Sequence, residues 1–427
     1  MRTKYFYLYF FLFAFVILFL RRPETLLYPQ FWGEDGAAWF ANAYNFGPLQ
    51  SLFLTQNGYF QTISRITAII SLAFPITRAP LVFNLIALTI QTVPVLLVVS
   101  SRFEKLIPAF RIRLAIALFY LLLPNTAEIH GNITNSQWFL ALAAFMVLVA
   151  ERNDKKIWRI FDTLILILAG LSGPFSLFLV PVAAIIWNSN RNRTVLKNLI
   201  VVSSTAVIQM AGLFIMGQGE RIYLLPDLTF KLVLTILSRQ VIWGSLAGIN
   251  GYIWILNHIS WYFWFFSVST VLALLLAAYA LMRAPIQLKF FILFGALIFA
   301  ASLISPTGLP PGNEFQFLTE STTGMRYWLI PMLAFIAILV WGMSKTNHLF
   351  VRMLSALFLA AAGFGIIQDF HHPKLIDYQY ESRISEFEKL PSGEKMAIPI
   401  NPYGWSMEIT KKRTRLDPGR VHYIEKK

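Results

Sequence analysis

Apolar residues recur along this chain in long blocks from Phe6 to Gln368, separated by short polar stretches, and the last 59 residues change character. In lipid, such blocks satisfy their own backbone hydrogen bonds as helices. They predict eleven spans, near 6–20, 81–100, 113–125, 137–150, 157–170, 174–187, 196–216, 259–282, 288–305, 327–343 and 350–368. Segment 61–77 is also apolar, but it carries Arg65 in its first half and meets Pro75 and Pro80 near its end. At the start, Arg2 and Lys4 precede the run Tyr5 to Leu20, and Arg21, Arg22 and Pro23 follow where small residues would mark cleavage. That pattern reads as a retained signal anchor.

The basic residues arbitrate the threading, because inserting or omitting 61–77 flips every later loop. With 61–77 outside the bilayer and the N-terminus cytoplasmic, inner ends and loops hold 17 Lys and Arg, against eight in the longer outer connections before the tail. Segment 61–77 is therefore expected as a re-entrant or juxtamembrane helix on the outer face. Thr229 to Ser238, with Trp243, predicts another interfacial helix in the loop 217–258. In the tail, Met396 to Ile400 and Trp405 to Thr410 flank the turn Asn401-Pro402-Tyr403-Gly404 and read as two short strands. The expected fold is an all-α polytopic membrane protein of about eleven transmembrane helices, with outer juxtamembrane helices. Residues 1–368 form the membrane domain, including the first outer loop 21–80, and 369–427 form a small extracytoplasmic α/β tail.

Composition agrees, since 57% apolar and 13% charged residues exceed what a water-soluble domain can hide. The net charge of +15 sorts by loop rather than forming a face with interleaved aromatics, so no nucleic-acid partner is expected. The absence of cysteine excludes disulfides, thiol catalysis and cysteine-ligated metals. No P-loop, dinucleotide fingerprint or HExxH motif occurs.

Candidate chemistry concentrates in the outer loops. Phe31-Trp32-Gly33-Glu34-Asp35-Gly36 sets two carboxylates at the start of a helix-compatible run, flanked by Trp32 and Trp39. A capping Asp beside a solvated Glu is the structural alternative. An outer-face carboxylate next to lipid suits transfer of a sugar from a polyprenyl-phosphate carrier, where a base takes a proton from the acceptor hydroxyl. The leaving phosphate is already stabilised, so a cation rather than a second carboxyl acid is required, preferably a forked guanidinium. Arg326, at the outer mouth of a span, is the first candidate, followed by Arg65 and Arg221; each could instead be an arginine that anchors its helix. Glu128, His130 and Asn132, in the polar loop Asn125 to Gln137, could hold acceptor hydroxyls or donor phosphate, or merely keep a short loop wet. Glu34 and Asp35 are also where a divalent cation could bind, and no other cofactor is indicated.

These features resemble the GT-C superfamily of membrane glycosyltransferases, particularly the bacterial enzymes similar to O-antigen-modifying glucosyltransferases. The likeness rests on Glu34-Asp35, on Asn57-Gly58-Tyr59 with Arg65 after it, on Gly324-Met325-Arg326-Tyr327, and on the tail motif ending at Trp405. The resemblance implies a first-loop acid as catalytic base, here Asp35 or Glu34, and a polyprenyl-phosphate-linked sugar as donor. It further implies donor-phosphate contacts at Arg326 and Tyr327, and a tail that helps bind a glycan or lipid acceptor, with Trp405 its candidate. Of the two acids Asp35 is the expected base, because a shorter side chain at a helix start is held in fewer conformers. The expected location is the bacterial inner membrane. The competing reading is a flippase, exporter or polymerase-like protein for lipid-linked saccharides, which would carry ionisable residues at mid-membrane depth. Only Asp162 lies appreciably inside a predicted span.

Overall fold

The computed structural model describes residues 4–216, 229–304, 306, 318–319 and 324–412. In chain order its main helices are α1 (Lys4–Arg21), α2 (Thr62–Ser71), α3 (Ala79–Val99), α4 (Phe110–Leu121), α5 (Ser136–Val149), α6 (Lys156–Gly170), α7 (Phe175–Ser189), α8 (Arg193–Met216), α9 (Gly248–His258), α10 (Tyr262–Arg283), α11 (Ile286–Ile304), α12 (Leu329–Lys345), α13 (Leu349–Asp369) and α14 (Tyr380–Glu388). Strands β1 (Lys395–Ile400) and β2 (Trp405–Thr410) follow as an antiparallel hairpin.

All eleven predicted segments are helical, and the protein is an integral membrane protein, but the lengths differ from expectation. Among the described residues six stretches are long and apolar enough to cross a membrane: Ile76–Val99, Arg193–Ile215, Tyr262–Arg283, Ile286–Ile304, Met325–Lys345 and Leu349–Asp369. A seventh is added if Phe230–Leu246 and Gly248–His258, bent by 106° at their junction, make one broken span. The other predicted spans are shorter helices. For example, α4 stops at Leu121 ahead of Pro124, which disfavours helix in the residue before it, so the predicted run to 125 is cut. Its 12 residues reach about 18 Å, against the roughly 30 Å hydrocarbon core.

Segment 61–77 contains the ten-residue α2, about 15 Å long. Its first amides are taken by the loop between α6 and α7, Thr62 N donating to Leu171 O at 3.0 Å and Ile63 N to Ser172 Oγ at 3.0 Å. The interfacial helix expected at Thr229–Ser238 begins at Phe230 and runs on through Leu246. After the bend, α9 starts on the carboxylate of Asp369, which accepts from Ile249 N at 2.9 Å and Asn250 N at 3.1 Å. Those are amides that a helix start leaves without intrahelical partners.

The window in Met325–Lys345 is 78% buried and that in Arg193–Ile215 only 28%, so α12 lies at the bundle centre and α8 at its margin. Arg21, at the end of α1, ties several elements together. Its Nη1 donates to Leu121 O and its Nη2 to Leu123 O, both at 2.9 Å, and its Nε to Phe370 O at 3.3 Å. These carbonyls lie at or just beyond the ends of α4 and α13. The tail docks on the first loop through Asn401, whose N donates to Phe31 O at 3.2 Å and whose O accepts from Gly33 N at 2.5 Å. Phe31 is fully buried between Phe40, Phe83 and Tyr380. Loop, α3 and tail thus share one small core.

Candidate functional site

The first loop turns at Gly33, whose φ of +49° favours glycine, and then enters a π-helix, Asp35–Phe40, that continues into a short α-helix, Ala41–Phe46. The turn sends the adjacent carboxylates in different directions. Asp35 is fully buried and accepts three hydrogen bonds: Ile133 N to Oδ2 at 3.0 Å, Thr134 N to Oδ1 at 2.8 Å, and Thr134 Oγ1 to Oδ1 at 2.7 Å. Thr134 Oγ1 in turn accepts from Trp39 Nε1 at 2.8 Å. Burial pushes the Asp35 carboxyl up to about 7, the three donors drawing it only partly back.

Glu34 stays partly exposed at the helix start, with Arg326 and Glu128 as its charged neighbours. Burial raises its carboxyl above the ordinary value; the Arg326 charge opposes that rise and the Glu128 charge adds to it. Arg326 and Glu128 are themselves paired. Arg326 Nη1 donates to Glu128 Oε1 in a short contact, and its backbone N donates to Oε2 at 3.3 Å. The guanidinium also lies over the Tyr327 ring, 4.8 Å from its centroid, with Nη2 at 3.4 Å from Tyr327 Oη. Gly324, at φ +86°, makes the left-handed turn that delivers Met325–Trp328 to this position. The Arg326 side chain keeps 18% of its surface exposed, Glu128 8%. Trp138 packs edge-on against Tyr327 at 5.7 Å.

Structure therefore brings together Glu34, Glu128, Arg326 and Tyr327, drawn from three segments far apart in sequence. Asp35, the expected base, faces the loop 133–134 with its oxygens and is sealed from solvent. Trp405 sits at the rim, partly exposed, its ring 4.0 Å from where a Cβ on Gly33 would stand.

Arg65 packs on Trp39, over whose ring its guanidinium lies at 4.6 Å. It is fully buried, its Nη1 reaches Ala38 O at 3.5 Å, and its Nε and Nη2 have no hydrogen-bond partner among the described residues. Burial lowers its pKa to about 10. Asn132 and His130 also leave the expected site. Asn132 braces its own loop, donating to Glu128 O at 2.7 Å and accepting from Asn135 N at 3.1 Å. His130 packs against His372, ring centroids 4.8 Å apart, and burial followed by the charges of Arg22 and Arg21 holds it well below the usual histidine range. Arg221 lies outside the described residues.

Glu34 and Asp35 do not fit a shared metal ion. The Asp35 oxygens already receive N–H and O–H donors, and no group of three or more His, Asp or Glu able to hold a metal occurs among the described residues. Thr134 and Trp138 were not singled out from the sequence. No protein-family model matches this chain, and no curated protein matches it.

Proposed function

We propose that this protein is a membrane glycosyltransferase that moves a sugar from a polyprenyl-phosphate donor to a glycan or lipid acceptor on the first-loop face. The observation that carries the reading is the grouping of Glu34, partly exposed, with the Glu128–Arg326 ion pair on that face, beneath a docked tail. In the transfer, Glu34 takes the acceptor hydroxyl proton as the acceptor oxygen bonds to the anomeric carbon. The bond from that carbon to the phosphate oxygen breaks, and polyprenyl phosphate leaves with the electron pair. The solvent-facing edge of Arg326 meets the growing phosphate charge, while Glu128 and Tyr327 orient the guanidinium. Asp35 holds loop 133–134 against the first loop and so positions Glu34.

The location of charge supports chemistry at a membrane surface over passage through the bundle. Asp162, the carboxylate of α6, is held by both terminal nitrogens of Arg102, at 2.6 and 2.9 Å, and so has a structural role. Contacts between loops support eleven crossings, some by short helices. The connections after α1, α4, α6 and α13 touch one another on the first-loop face, whereas Arg102, after α3, meets Glu151, after α5, on the other. With the N-terminus cytoplasmic, the tail is extracytoplasmic, as in a bacterial inner-membrane enzyme.

The test is sugar transfer from a polyprenyl-phosphate-sugar pool in membranes carrying the parent or Glu34→Gln. A loss of roughly a hundred- to ten-thousand-fold, at normal membrane levels, is expected for removal of a general base. Parental transfer by Glu34→Gln would overturn the mechanism.

A further inference from the structure

On the opposite face of the bundle, α3, α4, α5, α11 and α12 enclose a cavity of about 360 Å³ whose wall is almost wholly apolar. Its deep end is marked by Pro94, Tyr120 and Leu333, and it reaches the surface at the exposed residues Pro285 and Lys345. From Leu333 to Lys345 the cavity follows α12 for about 18 Å, at about 1.5 Å per residue. That depth is close to one leaflet of a hydrocarbon core about 30 Å thick.

A second observation gives this cavity a polar mouth. Lys345, the last residue of α12, lines the cavity and is exposed there, and no other lining residue among those described is charged. A cation at the mouth of an apolar shaft suits a molecule with one apolar chain and an anionic head.

We infer that this cavity holds one acyl chain of an anionic glycerophospholipid from the leaflet on that side, with the phosphate at Lys345. Depth favours a single acyl chain over a much longer isoprenoid. The cavity also opens on the face away from Glu34 and Arg326, so the inference does not rest on the proposed activity.

Native mass spectrometry of the detergent-purified protein, titrated with phosphatidylglycerol or phosphatidylcholine, tests it. The parent should retain one phosphatidylglycerol in preference to phosphatidylcholine. Lys345→Gln, at an exposed position, should weaken that binding about fivefold, the effect of one basic residue near an anionic lipid surface. Ala117→Phe, which fills the shaft, should abolish it, with helical circular dichroism and monodisperse elution showing that the variant is folded. Equal retention of both lipids, unchanged phosphatidylglycerol binding by Lys345→Gln or by folded Ala117→Phe, or displacement of the lipid by equimolar undecaprenyl phosphate would each overturn the inference.

Discussion

Glu128 and Arg326 are 198 residues apart in the chain, yet the Arg326 guanidinium and backbone amide both donate to the one carboxylate of Glu128. The pair joins the loop before α5 to the turn that opens α12, and it holds the guanidinium in one orientation beside Glu34. A lysine keeps the charge but cannot donate in a planar fork to Glu128 and Tyr327 while meeting a phosphate. Arg326→Lys is expected to slow transfer by roughly a hundred-fold, the scale of losing one donor to a developing oxyanion. Glu128→Gln should slow transfer less but destabilise the protein by about 1–3 kcal/mol, because the mostly buried guanidinium then donates to a neutral amide instead of a carboxylate. Transfer rates and detergent unfolding curves separate the two effects; a Lys variant as fast as the parent would make Arg326 an anchor only.

The pH dependence of transfer should report Glu34. A general base works deprotonated, and burial raises this carboxyl above its ordinary value. The rate should therefore climb with pH along a limb set above the usual glutamate range. Glu34→Gln should lose that limb along with most of the activity. A flat profile in the parent over the same range would count against Glu34.

Asp35 should show itself in stability. Its pKa is raised from 3.8 unfolded to about 7 folded, so between those values the folded protein holds a proton that the unfolded chain has released. Stability contributed by this group is thus greatest below about 4 and falls as pH rises to about 7. Unfolding of Asp35→Asn, followed from pH 4 to 8, should have a shallower slope than the parent. The Asn amide also sets a donor against the amides of Ile133 or Thr134, at about 1–3 kcal/mol. Parallel slopes in parent and variant would show that Asp35 is charged throughout.

Arg65 separates ligand binding from packing. Replacing an unpaired buried charge by an apolar side chain of similar volume is neutral or stabilising when nothing else pairs with it. Arg65→Met should leave the unfolding temperature unchanged or raised. If transfer is also unchanged, Arg65 has no part in donor binding, and if transfer alone falls, its Nε and Nη2 meet the donor phosphate during turnover.

The sequence by itself determined the membrane class, the positions of the helical segments and the tail hairpin. Each depends on local pattern: apolar runs long enough to need lipid, and a turn between two alternating strands. Only the tertiary structure decided which carboxylate is sealed and which is open. Glu34 and Asp35 are chemically alike and adjacent, and their fates depend on Thr134 and Arg326, about a hundred and nearly three hundred residues away. The same holds for Glu128, His130 and Asn132, three polar residues of one loop that became an ion-pair partner, a buried ring and a brace. Hydrophobic periodicity is a property of neighbours in the chain, whereas desolvation and pairing of charge depend on what packs across the bundle, and no local pattern encodes that.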